Sequence, residues 1–244
     1  MDLAFGLEIP ATVDEVCHPG RTVLVVYDMQ AGIVSQLATG PAVVDRVKDV
    51  LEAARAGGFR VFFTRHMSLP NAVAGVSQLR RAKGWQGVDR AGDTVPAFPR
   101  DSRQFQIVPE LAPRPEEGIV DKITMSAFTG TYLDIALRDC GLNSFVIVGI
   151  ALEVGIDPTV RHATDLGYIP IVVTDACGCG DPAAAERALA GLALAGDALQ
   201  TNSAAVIKSL RRFDGRPTVG RDPARREPDA PVSAPPGHLN STSR

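Results

Sequence analysis

Asp28 stands at the end of the run TVLVVY, residues 22–27. A carboxylate closing so apolar a stretch is costly to bury unless it is hydrogen-bonded or paired. Two roles fit it: the partner of a buried cation, suited to proton transfer, or the cap of a helix starting near Ala31. Lys122 follows a second short apolar run and offers that cation, each charge stabilising the other's ionised form. A solvated lysine beside Asp121 fits the same residues. In VGIALEVGIDPTVRHA, residues 148–163, an apolar run turns into a helix, with Gly155 near the turn and Pro158 in the first helical turn. Backbone N–H groups at such a start favour an anion or a developing oxyanion. A plain helix cap is the alternative.

Other reactive side chains carry weaker signals. Cys177 and Cys179, in DACGCGD, also follow an apolar run, but free cysteines at strand ends are chiefly packing residues. His66, His162 and His238 are scattered, and no His/Cys cluster has zinc-binding spacing, so neither a metal nor another cofactor is implied. Arg65, Arg80, Arg81 and Arg161 are candidates for a substrate carboxylate, set against the commoner fate of an exposed arginine.

The elements that must position these groups alternate. Residues 22–27 form a continuous apolar run, as in a strand buried on both faces of a parallel sheet. Val43, Val44, Val47, Val50, Leu51 and Ala54 recur at helical spacing, and Gly57-Gly58 ends the helix before a strand at 60–64. Residues 66–118, rich in proline and glycine, read as a long excursion with short helices. The rhythm resumes with strands at 119–120, 144–148, 169–174 and 198–201. Helices are expected at 131–138, after Gly155, after the Asp181-Pro182 cap, and at 204–210. The expectation is an α/β fold, a doubly wound parallel sheet with helices on both faces, its ligand at the carboxyl ends of the strands.

Composition narrows the function classes. With 244 residues, 45% hydrophobic, the chain can bury one α/β core, assigned to residues 1–213, and the proline- and arginine-rich stretch 214–244 reads as a disordered tail. The net charge of -3, with both signs interspersed, offers no basic surface for nucleic acid. The first twenty residues lack signal-peptide character and no stretch resembles a membrane span, so a cytoplasmic location without a membrane partner is expected. Four cysteines do not make a disulfide framework, which agrees with a reducing compartment.

Five segments in order, VVYDMQ (25–30), TRH (64–66), VDKITMSAFTGTYLD (120–134), VGIALEVGIDPTVRHA (148–163) and VVTDAC (172–177), resemble the isochorismatase-like, or cysteine-hydrolase, superfamily across roughly residues 20–212. The resemblance implies a six-stranded parallel sheet, a small-molecule substrate and a homodimer or tetramer. It places a catalytic Asp on Asp28, a catalytic Lys on Lys122 and the nucleophilic cysteine position on Gly155. It also implies a cis peptide between Ile150 and Ala151, these two residues with Gln30, Arg65 and Phe128 in the substrate site, and no zinc ligands after His66.

Without a thiol at 155 the acyl-enzyme route is closed at that position. In this respect the chain resembles isochorismatases, which cleave an enol ether with no covalent intermediate. The expected activity is therefore hydrolysis, with Asp28 as general acid, Lys122 positioning it, and N–H groups near Gly155 holding an oxygen. A nearby ammonium favours the carboxylate form, so proton donation requires burial or substrate to offset the pairing. Two alternatives stand beside this: an amide or ureido hydrolase using activated water, with Glu153 or Asp157 as further carboxylates, and a binding protein without catalysis. Restoring cysteine at 155 is expected to show whether the scaffold still supports amidase chemistry.

Overall fold

A computed structural model describes residues 1–215, so all but the first two residues of the expected tail lie outside the described residues. The chain opens with an antiparallel hairpin, β1 (Asp2–Ala4) and β2 (Leu7–Ile9), and a short helix, α1 (Val13–Val16). Thr12 and Glu15 cap α1 reciprocally. Neither element was expected, because three-residue strands carry too few side chains for a readable alternation.

The first long run becomes β3 (Thr22–Tyr27), buried at every position as its uninterrupted apolar character requires. It is followed by α2 (Ala31–Val34), α3 (Gly40–Ala56) and β4 (Arg60–His66). The excursion contains α4 (Val76–Gln86) and ends at β5 (Gly118–Lys122). Then come α5 (Leu133–Asp139), β6 (Ser144–Ile150), α6 (Asp157–Asp165), β7 (Ile169–Gly178), α7 (Pro182–Ala195), β8 (Leu199–Thr201) and α8 (Ser203–Arg211).

The large sheet has six strands in the order β5-β4-β3-β6-β7-β8, and every pairing in it is parallel. The chain winds outward from β3 to one edge, then returns beside β3 as β6 and winds to the other. Its topological switch point is therefore between β3 and β6, where ligands bind in such sheets. Alternate residues of each strand feed two cores. Leu24 and Val26 pack with Val47, Leu51, Val206 and Leu210 of α3 and α8, while Val23, Val25 and Tyr27 pack with Leu137, Val160 and Leu192 of α5, α6 and α7. Helices thus cover both faces.

The helices and strands expected from periodicity are present with boundaries shifted by a few residues. The largest change is at β7, which runs on to Gly178. The segment before α6 is a π-helical turn over Leu152–Ile156.

Candidate active site

Four strand ends bring the polar residues together. Asp28 follows β3 with φ 47, in the left-handed region that non-glycine residues seldom adopt. This turn leaves the strand direction and aims the carboxylate at the neighbouring strand ends. Its Oδ1 accepts a 2.5 Å hydrogen bond from Thr64 Oγ1, and its N–H donates to the same hydroxyl at 3.1 Å. Its Oδ2 accepts from Lys122 Nζ at 2.7 Å.

The Lys122 side chain is fully buried. Its ammonium also donates to the Thr124 carbonyl at 3.2 Å and lies 4.3 Å from the centre of the Tyr27 ring. Burial lowers the lysine's proton affinity and Asp28 opposes that shift. The two form a buried, hydrogen-bonded ion pair at the edge of a cavity, so removing either partner leaves a stranded charge.

Tyr27 and Gly155 explain each other. The phenol donates to the Met125 carbonyl and its tip lies against the π-turn. A Cβ at position 155 would lie 2.6 Å from Tyr27 Cζ, inside contact distance, and closer still to the hydroxyl. A side chain at 155 and the phenol of Tyr27 therefore compete for one volume. Restoring cysteine at 155 as a test of the scaffold meets this overlap, which the sequence did not reveal. Burial, reinforced by the charge of Asp28, raises the phenol well above the usual tyrosine range and keeps it neutral.

A cavity of about 430 Å³ opens above these residues, within the size range of small-molecule sites. Asp28, Tyr27, Gly155, Ile150 and Ala151 line it, while Lys122 lies behind Asp28 and is not part of the lining. The Ile150–Ala151 bond is cis. The N–H groups of Gly155 and Ile156 are already bonded to the Ala151 carbonyl, at 3.0 and 3.1 Å. The donors left for a substrate oxygen are therefore those of the first turn, from Leu152 to Val154, which precede any intrahelical acceptor.

The structure does not bring Gln30, Arg65 or Phe128 to the cavity wall. Gln30 is wholly buried and clamps the end of β4, accepting from His66 N–H and donating to the carbonyls of His66 and Phe105. Arg65 forms a two-pronged pair with Asp121, at 2.7 and 3.1 Å, and stacks on Phe105. Phe128 packs with Phe145 and Tyr168 in the core under α5 and α6. All three positions hold other elements in place.

Other candidates divide in the same way. Arg81 lines the cavity, Arg80 does not, and Arg161 pairs with Asp157 and Asp197. Cys177 and Cys179 are absent from the lining, and burial raises both thiols above the ordinary cysteine range, against thiolate formation. Among the described residues no three His, Cys, Asp or Glu side chains are grouped to hold a metal ion, and no helix is long and apolar enough to cross a membrane.

His66, Gln78 and Glu153 add polar groups to the wall, alongside Gln36, Ser68, Asn71 and Gln86. Burial, then the positive charge of Lys122, lowers His66 to about 4, so the imidazole is neutral near pH 7. Glu153 Oε1 accepts from the N–H groups of Gly180 and Asp181, at 2.7 and 3.0 Å, pinning the turn before α7 to the cavity floor. His66 Nδ1, Gln78 Oε1 and Glu153 Oε2 are buried and have no hydrogen-bond partner among the described residues. Each such group costs about 1–3 kcal/mol while unpaired.

Tyr27, Thr64 and Gln78 have no site role in the sequence-based reading. Thr64 and Tyr27 do lie in segments that carry the resemblance, whereas Gln78 lies in the excursion, where no periodic signal marks it.

Residues 22–204 match the Isochorismatase domain family. The ureidoacrylate amidohydrolase RutB of Pseudomonas syringae pv. syringae is 30% identical over 204 residues, covering 77% of this chain and 83% of that one. Among solved structures, an isochorismatase family protein from Burkholderia thailandensis superposes with a TM-score of 0.64 at 28% identity, covering 78% of this chain and 96% of its own. A cysteine hydrolase from Pseudomonas syringae pv. phaseolicola shares the fold with a TM-score of 0.68 at 24% identity, covering 81% and 96%. The match over residues 22–204 and the shared fold agree: the chain belongs to the isochorismatase family of hydrolases.

Proposed function

We propose that the cavity hydrolyses a small molecule by direct addition of water, with Asp28 carrying the proton and no covalent enzyme intermediate. The observation that carries this reading is the overlap at position 155: the phenol of Tyr27 takes the space in which a nucleophile's side chain would begin. Beside it stands a carboxylate held by Thr64 and Lys122 and open to the cavity.

For an enol ether, protonated Asp28 gives its proton to the methylene carbon, and its carboxylate takes a proton back from the water that adds to the oxocarbenium ion. The hemiketal then collapses with its hydroxyl proton passing to the leaving oxygen, releasing pyruvate and an alcohol. Lys122 keeps its own proton and stabilises the carboxylate of Asp28 during the interval in which it is ionised. A second reading is favoured by the 30% identity to a protein named ureidoacrylate amidohydrolase. There Asp28 takes a proton from water as it adds to an amide or ureido carbonyl, first-turn N–H groups hold the oxyanion, and the proton passes to the leaving nitrogen.

The test is turnover of isochorismate and of a panel of ureido acids and amides, read as pyruvate or ammonia, by the wild type and a Cys177→Ala/Cys179→Ala variant. Equal turnover by both is expected. Loss of turnover in the cysteine variant, with its thermal midpoint unchanged, refutes the non-covalent reading.

A further inference from the structure

We infer that the cavity selects a substrate bringing N–H or O–H donors to the wall of His66, Gln78 and Glu153, and a single anionic group to Arg81. This rests on the reading of the cavity as the substrate site, and it goes further by stating what the substrate must carry.

The three unpartnered atoms come from different parts of the wall: His66 from the end of β4, Gln78 from α4 and Glu153 from the π-turn. Gln78 Oε1 and Glu153 Oε2 accept hydrogen bonds as they stand. His66 is neutral near pH 7, and its Nδ1 is an acceptor in the tautomer that carries the ring proton on Nε2. Glu153 Oε1 is taken by two N–H groups, so Oε2 is the oxygen available for a ligand. Three acceptors around one cavity are complementary to a donor-rich ligand and mismatched to another array of acceptors.

Charge limits the ligand further. The charged side chains in the lining are Asp28, Glu153 and Arg81. Asp28 is neutralised by Lys122 from behind. Arg81 forms no ion pair among the described residues, so it is the one cation free to meet an anion. A second carboxylate on the substrate would face Glu153 or Asp28, which disfavours a dicarboxylate such as isochorismate and favours the amide or ureido substrates of the second reading. Between the polar patches the wall is apolar, with Leu69, Leu79, Trp85 and Phe98 contacting the body of the ligand.

Trp85 is the chain's single tryptophan and lines the cavity, so its fluorescence reports occupancy. Three probes of similar length separate the features: 3-ureidopropionate carries donors and one carboxylate, monomethyl glutarate one carboxylate without N–H donors, and glutarate two carboxylates. The wild type is expected to bind 3-ureidopropionate roughly tenfold or more tighter than either other probe. Glu153→Gln keeps the Oε1 contacts and places an amide N–H₂ where the free acceptor was, and Gln78→Met removes the other side-chain acceptor. Each is expected to remove the preference for 3-ureidopropionate with no fall in the ligand-free thermal midpoint. Arg81→Met is expected to weaken both monoanions alike. Equal binding of the three probes by the wild type, binding of none, or a preference unchanged in both acceptor variants overturns the inference. Asp28→Asn keeps the two questions apart: lost turnover with equal probe binding leaves the hydrolytic reading standing alone, and retained turnover with donor-selective binding does the reverse.

Discussion

At the residue scale the account depends on two pairs. Asp28 with Lys122 is a buried ion pair whose members satisfy each other, and Lys122→Met leaves the carboxylate without its cation. Such a loss costs about 3–5 kcal/mol, measurable as a lower denaturation midpoint, and a change below about 1 kcal/mol contradicts the assigned burial. Tyr27 with Gly155 is a steric pair. Gly155→Cys is expected to destabilise the fold by about 1–3 kcal/mol and to yield no amidase. Adding Tyr27→Val should recover most of that stability by vacating the volume, and no recovery in the double variant counts against the overlap. The first pair was legible because a charge closing an apolar strand needs a partner. The second was not, because an aromatic residue inside a buried strand reads as packing and the contact spans more than a hundred residues.

At the element scale, legibility followed burial. β3 and β6 are buried at every position and their apolar runs marked them at once. The helix α3 presents eight buried residues at regular spacing, and it too was legible. By contrast α4 buries none of its residues, so its sequence carries little amphipathic period, yet Gln78, Leu79, Arg81 and Trp85 on it line the cavity. It borders the cavity rather than a packed layer, so its sequence needs no continuous apolar stripe. A helix with no buried face opens at low cost. Amide hydrogen exchange is expected to be much faster across α4 than across α3, and to slow selectively in α4 when a ligand fills the cavity. Equal protection of the two helices would contradict this.

At the scale of the whole molecule, the two halves of the sheet meet where β3 and β6 lie side by side, and His66, at the end of the neighbouring β4, adds a pH-sensitive cost there. His66 faces the positive charges of Lys122 and Arg81 and the negative charge of Asp28, and it titrates near 4 against an ordinary value of 6.5. Between those values the unfolded chain binds a proton that the folded chain refuses. Stability is therefore full above pH 6.5 and falls as the pH drops toward 4. His66→Gln should lose less stability than the wild type between pH 7 and 4.5, by about 2 kcal/mol in denaturant titrations. Parallel losses in the two proteins would place the acid sensitivity elsewhere. The six-stranded parallel sheet was legible from the resemblance and the alternation of elements, but the site's wall was not: Gln30, Arg65 and Phe128 share the site's segments yet point into supporting contacts.

The most direct test of the central claim is the turnover number of Asp28→Asn on whichever substrate the wild type hydrolyses, with folding verified by its thermal midpoint. Asn keeps the shape and can still bond Thr64 and Lys122 but cannot exchange the proton. The account predicts a fall of about 10²–10⁴-fold in kcat. A kcat close to that of the wild type in the folded variant would contradict it.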